Sequence, residues 1–299
     1  MEKIKITSGP NSILVNSEIK IFDDLSGFDF LYKYIPLVEI SKDSIANKET
    51  FVLSIKDNKK LDFEFFAKEN NAVLECTFNK NITLRDIVSV IDYCLDYIRQ
   101  KEGIYNLHGS AVAKNEKGIL IIGGVSGLGK TTLALNLCTK RRFNFIGDEK
   151  ILIDKNGFIL GGVNTIEFNK PDLNSSSAPE LNNKGPNELS KFIDIQKRPV
   201  PIKLVIQPMI IPGANLYVED WPTIKAEWHL YEEMGRKIRG VSRRLNNHSF
   251  PLQSIDTFEV SLLRSNTAKK LSRKIKFVGL KGDVNNIMDK IESLLTTLK

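Results

Sequence analysis

One segment constrains the fold of this chain more than any other: Gly124-Val-Ser-Gly-Leu-Gly-Lys-Thr131, which matches GxxxxGK[ST]. An apolar stretch, Ile119–Ile122, precedes it, and a helix is predicted over 130–139. A strand that turns through glycines into a helix directs backbone N–H groups and the helix N-terminus at one point, which suits phosphate oxygens. The pattern therefore predicts an α/β domain with a phosphate-binding loop, with a chance glycine turn as the alternative.

Residue types within this loop predict how it would hold a nucleotide. Lys130 would reach the β- and γ-phosphates, and the Thr131 hydroxyl would ligate Mg²⁺. The other candidates for cofactor binding are Gly124, Val125, Ser126, Gly127, Leu128, Gly129 and Thr132. The expected cofactors are ATP and Mg²⁺.

Two adjacent acids, Asp148 and Glu149, follow 18 residues after Lys130. They separate two predicted strands, 143–147 and 150–154, so we expect them at a strand end beside the loop. One carboxylate would hold Mg²⁺ and the other would accept a proton from an attacking hydroxyl. The alternative is an acidic turn between two strands.

Three runs of sequence together resemble the HPr serine kinase superfamily, which is related in fold to phosphoenolpyruvate carboxykinase. They are Leu107–Ala113 with its His108-Gly109 pair, Gly118–Thr132, and Ile146–Glu149. The stretch 275–297 also looks like the end of related peptide-tailoring kinases, which act on serines of ribosomally made peptides such as lasso peptides.

This resemblance implies a role for each matching residue. Asp148 would be the catalytic base, Glu149 would help to hold Mg²⁺, and His108 would orient or tune the acidic residue. A lone histidine such as His108 is otherwise more often structural. The chain departs from the family at Glu149, where Asp is usual, and at Thr131-Thr132, where typical HPr kinases have Ser-Glu.

The order of predicted elements suggests two domains. Residues 1–104 would form a small mixed α+β domain, with strands at 12–15, 37–40, 50–55, 61–66 and 72–78 and a helix over about 83–101. Residues 105–299 would form the second domain, and the resemblance implies that it is a P-loop catalytic domain of the HPr kinase and phosphoenolpyruvate carboxykinase type. Its loop-like segment 168–200 is either a lid over the substrate or a plain surface insertion.

The net charge of +7 lies entirely in residues 225–299, which favours an acidic partner. A predicted helix from about 220 to 245 has an apolar stripe from Ile224 to Leu245. Arg236, Arg239 and Arg243 fall on its opposite face. They would contact an acidic substrate or the transferring phosphate, or else form a solvated helix face.

These observations together predict a kinase that transfers the γ-phosphate of ATP to a hydroxyl, foremost a serine of a protein or peptide. The alternatives are a small-metabolite or RNA hydroxyl as acceptor, or a nucleotide-dependent binding or regulatory module without transfer. Nucleic acid is less favoured because no stacking platform of aromatics is evident. A homo-oligomer is compatible with the family, whose members often form rings.

Composition and the N-terminal sequence indicate where the chain works. With 41% apolar and 26% charged residues, it resembles a globular domain and not a collagen or a membrane bundle. The N-terminus lacks a secretory signal, and the three cysteines show no pairing motif. We therefore expect a cytoplasmic protein with free buried thiols and no membrane partner.

Overall fold

The computed structural model describes residues 2–18, 31–42, 51–57, 63–68, 73–78, 83–123, 127–164, 192–239 and 254–298. These residues form two compact units. The first comprises the described parts of Met1–Ile104 and Met234–Arg264, and the second those of Tyr105–Glu233 and Ser265–Lys299. The protein is thus mixed α/β with two sheets. Residues 234–239 and 254–264 belong to the first unit, whereas the sequence predicts them in the second domain.

A six-stranded sheet lies in the first unit. Its strands are β1 (Glu2–Ser8), β2 (Asn11–Ser17), β3 (Val38–Lys42), β4 (Phe51–Asp57), β5 (Phe63–Lys68) and β6 (Val73–Phe78). They are ordered β3-β1-β2-β4-β6-β5. The central strands β2, β4 and β6 are parallel, while β1, β3 and β5 run antiparallel to their neighbours.

Helix α1 (Leu84–Lys101) packs on β2 and β4 and supplies much of the core of this unit. It begins at a capping box: Thr83 Oγ1 accepts from the Asp86 N–H, and the Asp86 carboxylate accepts from the Thr83 N–H. The buried face includes Ile87, Ile91 and Leu95. Burial of this apolar face is the main stabilising contribution, at about 25 cal/mol per Å² of apolar surface removed from water.

The described residues of 234–264 join the same core from far along the chain. Ile238, Ile255 and Val260 are buried in it. The Tyr93 hydroxyl in α1 donates to the Ile238 carbonyl at 2.9 Å. The fully buried Arg264 forms an ion pair with Asp256 at 2.6 Å, which compensates part of the desolvation of its guanidinium.

An eight-stranded sheet lies in the second unit. Its strands are β7 (Ile104–Leu107), β8 (Gly109–Lys114), β9 (Lys117–Ile122), β10 (Asn144–Asp154), β11 (Phe158–Val163), β12 (Val200–Ile210), β13 (Tyr217–Asp220) and β14 (Lys276–Gly282). The order is β11-β10-β8-β9-β12-β14-β13, and β7 pairs with β10. The strands β9, β12 and β14 are parallel, so their carboxyl ends lie on one edge.

Four more helices follow in the described part of the chain: α2 (Lys130–Arg141), α3 (Thr223–Gly235), α4 (Phe258–Ser272) and α5 (Val284–Thr297). Leu133 and Leu137 of α2 share one core with Ile287 and Ile291 of α5 and with the parallel strands. Asp283 caps α5 by accepting from the Asn285 N–H at 2.9 Å. The core of this unit thus fixes the position of α2 at the end of β9.

The prediction of a helix over about 220–245 was wrong at residues 236–239. The helix α3 ends at Gly235, residues 236–239 form turns, and 240–253 lie outside the described residues. The predicted apolar stripe also fails at its start, because Ile224 is 73% and Trp228 54% exposed. Ala226 and Leu230 are buried instead, so the packed face of α3 is rotated from the predicted one.

The prediction of a lid or a surface insertion at 168–200 falls mostly on residues 168–191, which lie outside the described residues. The last residues of this segment, 192–199, are attached to the sheet. The Phe145 N–H donates to the Asp194 carbonyl at 2.7 Å, and the Gln196 N–H donates to the Phe145 carbonyl at 2.8 Å. This part of the segment is therefore fixed to β10.

Within the described part of the chain, no helix combines the length and the apolarity that crossing a bilayer requires. Cys94 and Cys138 are buried and form no disulfide bond. Burial raises the pKa of the Cys138 thiol to about 12, so it stays protonated and unreactive at neutral pH.

Candidate functional site

The candidate phosphate-binding loop leads from β9 into α2. Its described residues are Gly123 and 127–131, whereas Gly124, Val125 and Ser126 lie outside the described residues. Gly127 and Gly129 have φ values of +89° and +90°, which favour glycine. Gly129 is the N-cap residue of α2 and has no side chain to cap the first-turn N–H groups. This is the local arrangement in which helix N-termini bind anions.

The end of β12 supports this loop. The Ile210 N–H donates to the Leu128 carbonyl at 3.3 Å. A Cβ on Gly129 would lie 2.5 Å from Ile210 Cδ1, which is too close for any other residue without a shift. Gly129 is thus required both by its backbone angle and by this close approach.

Lys130 begins α2 with its side chain turned into the loop. Only 8% of the residue is exposed, and Nζ donates to the Gly123 carbonyl at 3.4 Å. The Lys130 ammonium group lies beside the first turn of α2. Its positive charge would stabilise a phosphate bound there.

Asp148 lies in β10 and contacts two hydroxyl groups from other elements. Thr131 Oγ1 donates to its Oδ2 at 2.9 Å, and Ser110 Oγ of β8 donates to its Oδ1. The residue is only 2% exposed. Burial raises the pKa of Asp148 to about 6, with a smaller contribution from the charge of Glu149, while hydrogen bonds from Ser110, Thr131 and the Glu149 backbone oppose the rise.

The acidic pair does not lie at a strand end, which corrects the sequence prediction. A single strand, β10, runs through both acids. Its pairing with β11 moves from Asp148↔Val163 to Ile151↔Gly162, and Glu149 has φ +64°. This is a bulge, which re-aims side chains within a continuous strand. The Asp148 side chain is consequently buried, while that of Glu149 is 58% exposed.

His108 contacts Glu149 and not Asp148. Its Nδ1 lies 3.2 Å from Glu149 Oε2 and 3.2 Å from the Glu149 carbonyl oxygen. An Nδ1–H would donate to both oxygens and hold the bulged residue. The ion pair itself contributes little to stability, because both side chains are partly exposed to solvent.

The oxygens of Thr131 and Asp148 suit Mg²⁺, which is commonly held by one or two carboxylates together with substrate phosphates and water. Thr131 Oγ1 and Asp148 Oδ2 are 2.9 Å apart. Among the residues described, no three His, Cys, Asp or Glu side chains gather into a group that could hold a metal by themselves. The donor set thus fits a metal ion that arrives with phosphates.

Arg236 and Arg239, two of the three candidate substrate arginines, lie in a turn and not on a helix face. Arg239 follows α3 in a turn, and its Nε lies 3.4 Å from Asp256 Oδ2. Arg236 is half-buried in the same turn, and Arg243 lies outside the described residues. Arg236 and Arg239 belong to the first unit, whereas the loop and Asp148 belong to the second.

Two residues of the site were missed by sequence reasoning, Ser110 and Ile210. Ser110 is fully buried in β8, in a stretch that is otherwise apolar, Gly109-Ser-Ala-Val-Ala. A polar residue in such a strand, two positions after a candidate histidine, is the signal that could have found it. Ile210 is an ordinary strand residue, and its position against Gly129 has no signal in the sequence.

No family model matches the chain, and no curated protein matches it. Among solved structures, the chain is similar to the HPr(Ser) kinase/phosphatase from Coxiella burnetii, with 14% sequence identity and a TM-score of 0.27. The match covers 64% of this chain and 93% of that chain. The likeness is weak at this TM-score, so the interpretation of the site rests on its own geometry.

Proposed function

We propose that this protein is an ATP- and Mg²⁺-dependent kinase that transfers the γ-phosphate to a hydroxyl, foremost a serine of a protein or peptide. The observation that carries the proposal is the contact of Thr131 in the first turn of α2 with the buried Asp148, at 2.9 Å. This contact brings together a hydroxyl of the candidate phosphate-binding loop, a helix N-terminus and a carboxylate of raised pKa.

In this proposal the residues of the loop bind and orient the nucleotide. The first-turn N–H groups of α2 and the Lys130 ammonium would bind the β- and γ-phosphate oxygens. When bound, Mg²⁺ would neutralise charge on those phosphates, with Thr131 and a carboxylate of the acidic pair as its protein ligands. Catalysis would consist of positioning and electrostatic stabilisation.

Asp148 would accept the proton of the attacking hydroxyl. The hydroxyl oxygen forms a bond to the γ-phosphorus, the bond from that phosphorus to the β–γ bridging oxygen breaks, and ADP leaves. A carboxyl with a pKa of about 6 is mostly ionised at pH 7 and yet basic enough to take the proton. Glu149, held by His108, would be the second metal ligand.

The test follows γ-labelled ATP with Mg²⁺ and a lysate of the source cells into protein, peptide, RNA and small-molecule fractions. The wild type is compared with Asp148→Asn and with Asp154→Asn, a matched variant in the same strand whose carboxylate instead accepts backbone N–H groups of the β10–β11 turn. We expect label in the protein or peptide fraction with the wild type and Asp154→Asn only. Label in the RNA or metabolite fraction would change the acceptor class, and ATP binding without any transfer would contradict the kinase.

One observation favours a second candidate, a nucleotide-dependent regulatory module. Glu149 contacts His108, and in the described contacts only Asp148 of the acidic pair reaches Thr131. A module of this kind would lose function in Lys130→Ala and keep it in Asp148→Asn. A kinase would lose activity with either substitution.

We also propose that the protein acts in the cytoplasm, where ATP is abundant and buried thiols such as Cys94 stay reduced. Assembly into a homo-oligomer stays a prediction from the family resemblance. Size-exclusion chromatography with light scattering of the purified chain measures it directly.

A further inference from the structure

Ser110 is a fully buried serine in β8, opposite Ile121 of β9. Its hydroxyl donates to Asp148 Oδ1, whereas Thr131 donates to Oδ2. The two donors come from different elements, one from the sheet and one from the first turn of α2. Each oxygen of the Asp148 carboxylate therefore has its own side-chain donor, and the plane of the carboxylate is fixed.

We propose that Ser110 is a positioning residue, which holds the Asp148 carboxylate so that one oxygen faces Thr131. This inference rests on the proposed function. Without the Ser110 hydroxyl, Oδ1 would be a buried acceptor with one donor fewer, and the carboxylate could rotate to recover a partner. The rotation would draw Oδ2 away from Thr131 and from the phosphate-binding loop.

The expected effect follows from the indirect role of Ser110. Asp148 holds the hydroxyl of Thr131, a proposed Mg²⁺ ligand, so removing the residue that orients Asp148 should lower metal affinity or activity by about 10- to 100-fold, as loss of partners around metal ligands does. The loop, Lys130 and the N-terminus of α2 are unchanged in Ser110→Ala, so ATP binding without a metal ion should be preserved. Only the quantities that depend on Asp148 should fall, namely the gain in ATP affinity from Mg²⁺ and the rate of phosphate release.

The test is a double-mutant cycle of Ser110→Ala and Asp148→Asn. Two quantities are measured for each variant: the ATP dissociation constant in Mg²⁺ and in EDTA, and the rate of phosphate release from ATP. Ser272→Ala is the matched control, because Ser272 is also buried in the second unit, where its hydroxyl donates to the Lys269 carbonyl.

We expect Ser110→Ala to lower the rate of phosphate release by about 10- to 100-fold. The gain in ATP affinity that Mg²⁺ provides should fall by a similar factor. The EDTA value should stay at the wild-type level, and Ser110→Ala should add no further loss to Asp148→Asn. Equal losses in both backgrounds, loss of ATP binding in EDTA, or no change would each overturn the inference. If the wild type binds no ATP, the proposed function is refuted as well. Failure of the Ser110 inference alone would leave ATP binding by the wild type intact.

Discussion

The Thr131 hydroxyl donates a hydrogen bond of 2.9 Å to Asp148 Oδ2, which joins the first turn of α2 to the middle of β10 across 17 residues of sequence. To make this bond and also ligate a cation, a side chain must donate a hydrogen and keep a lone pair on its oxygen. A hydroxyl meets both conditions, so Thr131 can hold Asp148 and still offer an oxygen to a cation.

Thr131→Val keeps the shape of the side chain and removes this hydroxyl. We expect the Mg²⁺-dependent part of ATP affinity to fall by about 10- to 100-fold, while Thr131→Ser retains it. Calorimetric titration of ATP in Mg²⁺ and in EDTA measures the effect. Thr139→Val is the control in the same helix, since the Thr139 hydroxyl donates only to the Leu135 carbonyl at 2.8 Å in the described contacts. Equal ATP affinity of Thr131→Val and the wild type in Mg²⁺ would exclude this role for Thr131.

The raised pKa of Asp148 predicts how stability depends on pH in the absence of nucleotide and metal. The folded pKa of about 6 lies above the ordinary 3.8, so folding favours the protonated form. The stabilisation is fully present below about pH 4 and is lost as the pH rises through 6. A shift of roughly two pKa units corresponds to about 3 kcal/mol.

Urea unfolding of the wild type and of Asp148→Asn between pH 4 and pH 8 measures this dependence. The free energy of unfolding of the wild type should decrease relative to that of the variant by up to about 3 kcal/mol over this range. Taking the difference removes the contributions of the other carboxyl groups. A difference that is constant with pH would show that Asp148 is not desolvated in the folded protein.

Glu149 has a positive φ, which predicts a substitution that stabilises the fold and lowers activity. Glu149→Gly should relieve about 1 kcal/mol of backbone strain and remove the carboxylate beside the site. Glu116→Gly is a matched control, because Glu116 has φ +60° in the exposed β8–β9 turn. Both variants should be more stable to urea, and only Glu149→Gly should lose phosphate transfer. Full transfer activity in Glu149→Gly would remove Glu149 from the site.

Gly109 has no room for a side chain, because a Cβ there would overlap the Ile121 carbonyl oxygen of β9. Gly109→Ala should therefore push β8 from β9, at a loss of about 1–3 kcal/mol of stability, and displace the adjoining Ser110. In Gly279→Ala the nearest atoms are Trp221 Nε1 at 3.2 Å and Glu219 Oε2 at 3.3 Å. These are side-chain atoms that can move, so the loss should be smaller. Thermal unfolding of both variants ranks them, and the reverse order would contradict the steric explanation.

Local signals in the sequence were sufficient for several elements. The helix predicted over about 83–101 is confirmed as α1, because Thr83 and Asp86 form a capping box and the apolar spacing continues to its end. The strands β2 to β6 also lie close to their predicted ranges, whereas β1 was not predicted. That strand has only two apolar residues facing the core, Ile4 and Ile6, alternating with lysines.

Other features depend on contacts that no local pattern contains. A charged pair between two apolar runs favours a turn, but Asp148 stays inside β10 because Ser110 and Thr131 satisfy its carboxylate. The apolar spacing beyond Gly235 favoured a longer helix, but Ile238 is buried against residues of α1 well over a hundred positions earlier. The sequence motif indicated the loop and both acids, and only the fold reveals which acid is buried.

The discontinuity of the first unit has a consequence for synthesis of the chain on the ribosome. Ile238, Ile255 and Arg264 become available only after the strands and helix of residues 1–104 have left the exit tunnel. Until then the part of α1 that they cover faces water, so the N-terminal unit cannot complete its core first, as domains made early usually do. A nascent chain released before residue 264 would expose this apolar surface, which makes it a substrate for chaperones and proteases.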